Sequence, residues 1–371
     1  MPENTVVIPS SSRIIDSGNL WRLITMTNIS TKIQHGHFST RVAMTVGVIL
    51  WIVVGVMPST AEEMRLDPAA VVGPDACGEC HKSSVAAWKL THHSTTFKAL
   101  PRSKKAKEIA SKLGLKRIKA ESDCLTCHFT SAMTGAKTKP IAGITCESCH
   151  AAGKNWIKLH SDYGGKGMTT ETETPAHKTA RYANSEAAGM IRPSRLYEVA
   201  ANCYSCHTVP NEKLVNVGGH TAGSKFELVA WTQGEVRHNV WYSKENNEAS
   251  IDRKRMMYVV GKALDLEYAL RGVAKATANA AYAKSMARRA KAAKKVMQAI
   301  AVVIKAPEVD KILVAANEAK LKLNNEVALT AAADKVATAA KLLAANYDGS
   351  QFGGIDGMLP AANKYKGKST P

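Results

Sequence analysis

The clearest hydrophobic pattern of the chain lies in its C-terminal third. From about Ile251, apolar residues recur every three or four positions, the spacing at which one face of a helix is buried. Pro307 ends this first pattern, because proline lacks the N–H that a helix interior requires. Two shorter helical patterns follow, near Glu308 to Lys322 and Glu326 to Tyr347. Residues 246–347 are therefore predicted to form a basic, Ala/Lys-rich helical hairpin or bundle.

The region before this bundle shows shorter helical patterns. Loops rich in Gly, Pro and Thr separate them, for example from Ser161 to Pro175 and from Val217 to Gly223. No substantial sheet is predicted, so the expected fold class is mainly α. Residues 62–245 are assigned to a first domain, and the glycine-rich residues 348–371 to a flexible tail.

One further apolar run, Val42 to Met57, lies near the N-terminus. Lys32 and Arg41 precede it and small residues up to Ala61 follow it, which is the order of a secretory signal with cleavage after Ala61. The run is shorter than the ~20 residues that span a membrane. Residues 1–61 are therefore predicted to be an N-terminal extension and signal peptide that directs export to the periplasm. An uncleaved membrane anchor is the alternative.

The chain is strongly basic, with a formal net charge of +19. Residues 251–345 carry eighteen basic and eight acidic side chains, and residues 102–119 carry eight basic side chains against Glu108 alone. Each stretch is either a solvated helix face or a docking surface for an acidic protein or an anionic lipid. Nucleic acid is excluded as a partner, because an exported chain does not meet it and the basic residues are not interleaved with aromatic ones.

All eight cysteines belong to four copies of one motif, in which two cysteines three positions apart are followed by a histidine. The copies are Cys77, Cys80 and His81; Cys124, Cys127 and His128; Cys146, Cys149 and His150; and Cys203, Cys206 and His207. This is the attachment signature of c-type haem. Cysteines one helical turn apart bond the two vinyl groups, and the next residue places a histidine beneath the iron. Four covalently bound haem c groups are therefore predicted in residues 62–245.

Two other chemistries use cysteines at similar spacings. Eight cysteines in an exported protein are compatible with four disulfides, and the second and third pairs have the separation of a zinc ribbon. Neither explains a histidine after every second cysteine, so haem attachment is the favoured interpretation. About 175 residues for four haems leave little protein per haem, and the porphyrins are expected to provide much of the apolar interior.

Each haem iron also needs a ligand or an open position on the face opposite the motif histidine. Outside the four motifs and the predicted signal peptide, the chain has six histidines: His92, His93, His160, His177, His220 and His238. Four haems with two imidazoles each require four of them.

The stretches ACGECHKSSVAAWKLTHHSTTF and GITCESCHAAGKNWIKLH resemble the tetrahaem cytochrome c-554 family of ammonia-oxidising bacteria, which accepts electrons from hydroxylamine oxidoreductase. The resemblance covers roughly residues 73–207 and includes the order of the four motifs. It implies haems packed closely enough for electrons to pass between them. The family has no obvious equivalent of the basic C-terminal helices, so its partners do not transfer to this chain.

The resemblance also implies axial ligands. His93 is then the ligand of the His150 haem, and His160 is the ligand of the His207 haem. The family places the ligand of the first haem five residues before the fourth motif, where this chain has Glu198.

The partner of His81 is therefore left open among His177, His220 and His238. His220 and His238 are favoured, because they lie in stretches rich in order-promoting residues, whereas His177 lies in a polar loop. The second haem of the family is five-coordinate, which corresponds to His128 here, and the extra histidines leave this feature undecided.

Three functions follow from these observations. The favoured one is a periplasmic electron carrier that connects an acidic donor oxidoreductase with an acidic acceptor cytochrome, because imidazole on both iron faces leaves no position for a substrate. The second is reduction of nitric oxide or a similar nitrogen compound at a five-coordinate His128 haem. The third is a haem subunit that its basic helices dock to a larger complex or a membrane.

Overall fold

The computed structural model describes residues 66–120, 122–240 and 245–369. The predicted N-terminal extension and signal peptide, residues 1–61, lie outside these residues. Within the described ranges, no helix has the length and apolar character needed to cross a membrane.

The first part of the described chain consists of short helices and one β-hairpin. Such helices are marginal on their own in water, so tertiary packing must stabilise them. The hairpin strands run antiparallel, and Gly135 occupies the turn with a φ of 61°. The elements are α1 (Pro74–Gly78), α2 (Lys82–Lys89), α3 (His92–Ala99), α4 (Lys104–Lys112), α5 (Ser122–His128), β1 (Thr130–Thr134), β2 (Lys137–Ala142) and α6 (Cys146–His150).

Four helices follow in the sequence between this part and the C-terminal helices. Pro175 begins the first of them, at a position where its missing N–H costs no helical hydrogen bond. Short 3₁₀ turns at Leu100–Arg102, Ile118–Ala120 and Leu159–Ser161 link the neighbouring segments. The helices are α7 (Pro175–Ala187), α8 (Leu196–His207), α9 (Glu212–Asn216) and α10 (Leu228–Thr232).

The C-terminal part is a bundle of four longer helices, as predicted. Its core is rich in alanine, and Leu264, Met286 and Ile300 are completely buried in it. Pro307 begins the third helix of the bundle. The helices are α11 (Ile251–Ala274), α12 (Ala281–Val303), α13 (Pro307–Glu318) and α14 (Glu326–Asn346). The mainly α fold class is confirmed.

The long hydrophobic pattern that begins near Ile251 is divided between two helices. Between α11 and α12 the chain turns, and Glu212 of α9 accepts hydrogen bonds from the backbone N–H groups of Thr277 and Ala278, at 2.9 and 3.1 Å. Asn216 of α9 accepts another from the N–H of Tyr282 at 3.0 Å. The side chains of Glu212 and Asn216 therefore satisfy backbone donors in the turn and in the first turn of α12. The hydrophobic spacing alone does not reveal this break between the two helices.

The core does not follow the predicted domain boundary between residues 245 and 246. One cluster of buried apolar residues joins α8 and α10 to the bundle helices. A Cβ atom at Gly261 of α11 would lie 3.0 Å from Leu228 and 3.2 Å from Tyr204, so glycine allows these helices to approach closely. Tyr197 of α8 also donates a hydrogen bond to Glu267 of α11 at 2.6 Å. The helix that carries the fourth motif therefore shares a core with the bundle.

The prediction of a flexible tail after residue 347 is wrong for the described residues. Residues Ser350–Met358 form 3₁₀ turns, and Phe352 and Ile355 are buried against the bundle. Farther on, the N–H of Lys366 donates to the carbonyl of Ala230, and the N–H of Glu235 donates to the carbonyl of Lys366. The buried side chains of Phe352 and Ile355 therefore anchor the tail, although it contains many glycines.

Candidate functional site

Each of the four motifs lies on a short helix or at its end. Helix α5 carries the second motif and α6 the third, and both helices end at the motif histidine. The fourth motif forms the last turn of α8, which also ends at its motif histidine. In the first motif, His81 lies directly before α2 and its backbone carbonyl accepts from the N–H of Val85 at 3.0 Å.

Each motif histidine faces one histidine from elsewhere in the chain. We name the pairs site 1 to site 4 in the order of the motifs. The ring centres are 6.2 Å apart for His81 and His160 (site 1), 6.3 Å for His128 and His220 (site 2), 6.3 Å for His150 and His238 (site 3), and 6.2 Å for His207 and His93 (site 4).

This separation suits two imidazoles on opposite faces of one metal ion. A histidine nitrogen binds a transition metal at about 2.0–2.1 Å, and the ring centre lies about one bond length farther away, so two axial rings have centres roughly 6 Å apart. Rings in direct van der Waals contact would lie closer together. The repeat of nearly one distance at four separate places indicates a common occupant of fixed thickness.

Hydrogen bonds fix the tautomer of several of these rings. Nδ1–H donates to a backbone carbonyl in four of them, at 2.8 Å for His150, 2.6 Å for His160, 2.9 Å for His220 and 2.8 Å for His238. A ring that donates from Nδ1 keeps the lone pair of Nε2 for a metal ion. The rings are therefore held in the form that a haem iron requires.

Burial favours the neutral state of the same side chains. It lowers the pKa of His128 and the pKa of His207 to about 4 in each case. Burial also lowers the pKa of His81, of His150 and of His160. Neutral imidazole is the metal-binding form, so these histidines are ready to bind iron at physiological pH without losing a proton.

The pairing differs from the one that the family resemblance implies. His93 faces His207 and not His150, and His160 faces His81 and not His207, so both of those assignments are wrong. The first-site partner is therefore none of the three histidines left open for it. The other two non-motif ligands, His220 and His238, face His128 and His150.

The two remaining histidines bind carboxylates instead. Nδ1 of His92 lies 2.6 Å from Glu235, and Nδ1 of His177 lies 2.7 Å from Glu173. Glu198, which stands where the family has a ligand, pairs with Arg195 at 2.9 Å. His220 and His238, which were favoured over His177 as partners of His81, do face motif histidines. These are His128 and His150 instead of His81.

A close backbone approach positions His93 in site 4. Thr91 caps α3 by accepting a hydrogen bond from the N–H of Ser94, and the carbonyl of His93 accepts one from the N–H of Ile144 at 2.9 Å. A Cβ atom at Gly143 would lie only 2.1 Å from that carbonyl oxygen. Glycine is therefore required where the segment before the third motif passes α3.

Glu147, inside the third motif, is buried and fully satisfied. Its carboxylate accepts backbone N–H groups from Val72 at 2.9 Å, Gly73 at 2.8 Å and Gly153 at 2.7 Å. These residues precede the first motif and follow the third. One side chain therefore fixes the distance between the segments that carry site 1 and site 3.

The effect of one histidine on the pKa of another indicates which sites are neighbours. After burial, the groups that lower the pKa of His81 are His160 and His238, and His238 also acts on His150. Sites 1 and 3 therefore lie side by side. A hydrogen bond between the thiols of Cys77 and Cys146 supports this arrangement and lowers the pKa of Cys77.

The other two sites are neighbours in the same way. After burial, His220 and then His93 lower the pKa of His128, so site 2 lies beside site 4. Site 4 is linked to the third motif, because Asn202 of α8 donates a hydrogen bond to the carbonyl of Cys149 at 3.0 Å. Contacts and charge interactions therefore link site 1 with site 3, site 3 with site 4, and site 4 with site 2.

The bundle contributes directly to site 4. Arg289 of α12 pairs with Asp265 of α11 at 2.7 Å and donates to the carbonyl of Ser224 at 2.6 Å. The hydroxyl of Ser224 is hydrogen-bonded to Nδ1 of His207 at 3.0 Å, and Phe226 stacks on the same imidazole with ring centres 4.5 Å apart. The bundle thus holds the segment that orients a motif histidine.

The cysteines support haem attachment over the other chemistries. None of the eight cysteines is joined to another in a disulfide. In the described residues, no group of three or more His, Cys, Asp or Glu side chains is placed so that it could hold a metal ion. Paired imidazoles, each with two thiols in the adjoining motif, fit covalently bound haem c.

Two buried indole groups fit the same cofactor. The N–H groups of Trp156 and Trp231 have no hydrogen-bond acceptor in the described part of the protein. Each indole lies 5.2 Å from a ligand imidazole, that of His160 and that of His207. Buried donors require acceptors, which the propionate groups of a bound haem would be able to provide. Bound haem iron would supply one-electron redox chemistry at these positions.

Sequence reasoning did not identify Glu147, Ser224, Phe226 or Arg289 as parts of the site. Their contacts join segments far apart in the chain, and only Glu147 gave a signal, as an acidic residue between the two cysteines of a motif.

Paired histidines and CxxCH motifs on a mainly α scaffold are typical of c-type cytochromes, a class of covalent haem proteins that transfer electrons. Residues 76–151 match the family model described as cytochrome c554 and c-prime. The match includes the first three motifs and ends before the fourth.

One curated protein is similar to part of the chain. The chain is similar to cytochrome c-554 of Nitrosomonas europaea, at 27% identity over 143 residues. The similar region covers 36% of this chain and 56% of the relative, so the chain spans little more than half of that protein. No solved structure gives a significant match.

Proposed function

We propose that this protein is an exported tetrahaem electron carrier of the periplasm, in which sites 1, 3, 4 and 2 form a continuous relay. The observation that carries the proposal is the presence of four histidine pairs with ring centres 6.2–6.3 Å apart. Each pair uses one motif histidine and one histidine from elsewhere. Two imidazoles per iron favour electron transfer over substrate binding.

The residues of the chain have definite roles in this function. The cysteines of the four motifs would hold four haem c groups, and the eight paired histidines would be their axial ligands. Glu147, Gly143 and Asn202 keep neighbouring sites together. Donors and acceptors of electrons are proposed to be acidic redox proteins, because the polypeptide is basic.

The reductase alternative requires an open iron face at site 2. His220 lies opposite His128 at 6.3 Å, which is the same arrangement as in the other sites. The geometry therefore supports a carrier and gives no support to a five-coordinate centre. Docking to a larger complex or a lipid surface is the other alternative, and the basic charge of the polypeptide favours it.

The test is a coulometric redox titration combined with nitric oxide binding to the reduced holoprotein. We expect four electrons per chain and no nitric oxide adduct. The variant His220→Ala should form an adduct at one haem, because it removes one axial ligand. The control His177→Ala should form none, since His177 pairs with Glu173. Fewer than four electrons, or an adduct in the unmodified protein, contradicts the proposal.

A further inference from the structure

The basic stretch between the first two motifs folds into α4 and the turns around it. Its cationic side chains point into solvent: Arg102, Lys104, Lys105, Lys107, Lys112, Lys116 and Arg117 are all exposed. In the described part of the chain none of these residues takes part in an ion pair. Ser103, directly before the helix, caps it, because its hydroxyl accepts a hydrogen bond from the N–H of Ala106 at 3.3 Å.

The opposite face of α4 packs directly on site 2. Ala110 is buried in a small core with Leu125 of α5 and Phe129, the residue after His128. On the His220 side, a Cβ atom at Gly218 would lie 3.1 Å from both Ile109 and Leu113. The helix therefore touches the segments that provide both imidazoles of site 2.

Two lysines show how near the positive charge comes to the site. A Cβ atom at Gly219, the residue before His220, would lie 3.4 Å from Nζ of Lys112. Nζ of Lys119 lies 3.2 Å from the ring centre of Phe97 and 5.8 Å from that of Phe129. The charge of this helix is therefore adjacent to one end of the relay, because site 2 is its terminal member.

The exposed face of α4 also has a concave surface. A shallow depression of about 560 Å³ is lined by Arg102, Lys104, Lys107, Glu108, Ser111 and Lys112. A depression with four cations and one carboxylate is complementary to a projecting acidic segment of another protein. Helix α12 of the bundle also carries exposed lysines, at Lys284, Lys291 and Lys295, so the position of the α4 charge beside site 2 distinguishes it, and not charge alone.

We propose that the exposed face of α4 is the docking surface for an acidic redox protein that exchanges electrons through site 2. This inference rests on the proposed carrier function and specifies where the partner binds. Long-range attraction between opposite charges raises the rate of encounter by about 10- to 1,000-fold at low salt. The short path from the surface to the His128–His220 pair makes the encounter productive.

The test measures the rate at which a reduced plant-type ferredoxin, a small acidic iron–sulfur protein, reduces the ferric holoprotein in stopped flow. The docking variant is Lys104→Gln, Lys107→Gln and Lys112→Gln combined. The control variant combines Lys284→Gln, Lys291→Gln and Lys295→Gln, three exposed lysines of α12. Both variants lose the same net charge, so a difference between them reports the position of the charge.

We expect the docking variant to react roughly tenfold more slowly at low salt and the control variant less than twofold more slowly. The difference should vanish near 1 M salt, where the Debye length is about 3 Å. Equal effects of the two variants, or an unchanged rate in the docking variant, overturn the proposal. So does suppression of the wild-type rate by inorganic phosphate at constant ionic strength, which would show a small-anion site.

Two measurements separate this proposal from the carrier function and from lipid binding. Reduction by a small uncharged reductant should be equally fast in all three proteins, and failure of the wild type to be reduced at all contradicts the carrier function itself. Flotation with vesicles of anionic phospholipid tests the other macromolecular partner. Vesicle binding that only the docking variant loses, with no change in the ferredoxin rate, overturns the protein-docking proposal.

Discussion

Replacing the carboxylate of Glu147 by an amide tests whether this side chain holds the segments of site 1 and site 3 together. In Glu147→Gln the amide oxygen can still accept from two of the three backbone N–H groups, but the amide NH₂ then faces the third. Hydrogen bonds to charged groups contribute about 1.5–3 kcal/mol, and a buried unsatisfied donor costs about 1–3 kcal/mol. We therefore expect local destabilisation of about 3 kcal/mol, which is roughly a 150-fold increase in local opening.

Amide hydrogen exchange of the folded holoprotein measures this opening. Protection should fall about 100-fold in peptides that contain Gly73 and Gly153, and remain unchanged in peptides from the bundle. Glu79→Gln is the matched control, because Glu79 lies inside the first motif but is exposed. Protection that changes less than threefold in Glu147→Gln, or equally in both variants, would refute the role assigned to this carboxylate.

Three further predictions concern single side chains. Arg289→Gln should lower the midpoint potential of one haem by roughly tens of millivolts, because a positive charge near site 4 is lost, whereas the exposed neighbour Arg288→Gln should change it little in a spectroelectrochemical titration. Gly143→Ala should convert part of one haem to the high-spin state in optical spectra, because the new Cβ displaces His93. Hydrogen bonds from Arg181 lower the pKa of Glu173 to about 2 from 4.5. The resulting stabilisation is complete above pH 4.5 and is lost as the pH falls towards 2, so the stability difference between wild type and Glu173→Gln in guanidinium unfolding should be largest at pH 7 and shrink over that range.

The sequence was most informative where function depends on local spacing. Two cysteines and a histidine within five residues define a covalent attachment site by themselves, and a helical repeat defines a buried face. The helical character of the bundle was therefore predicted correctly, but its first predicted segment is two helices. The turn between α11 and α12 was not predicted, because it depends on Glu212 and Asn216 of a distant helix.

Contacts between distant segments could not be read from spacing. His93 and His160 were identified as candidate ligands, but both assigned partners were wrong: His93 faces His207, and His160 faces His81. The family pattern does not fix how α3 lies against the third motif. The tail was predicted to be flexible from its glycine content. Two apolar residues, Phe352 and Ile355, decide its packing instead, since burying them outweighs the flexibility that glycine confers.

Low-temperature EPR of the purified ferric protein, with spin quantitation, counts the haems whose iron has two imidazole ligands. Four low-spin haems per chain are predicted, and the signals should differ with the ring angles. The nearly parallel imidazoles of site 1, at 20°, should give a rhombic signal, and the nearly perpendicular ones of site 3, at 82°, a signal with a large maximum g value. A high-spin signal that accounts for one haem per chain, or fewer than four haems, would contradict the account of four sites with two histidine ligands each.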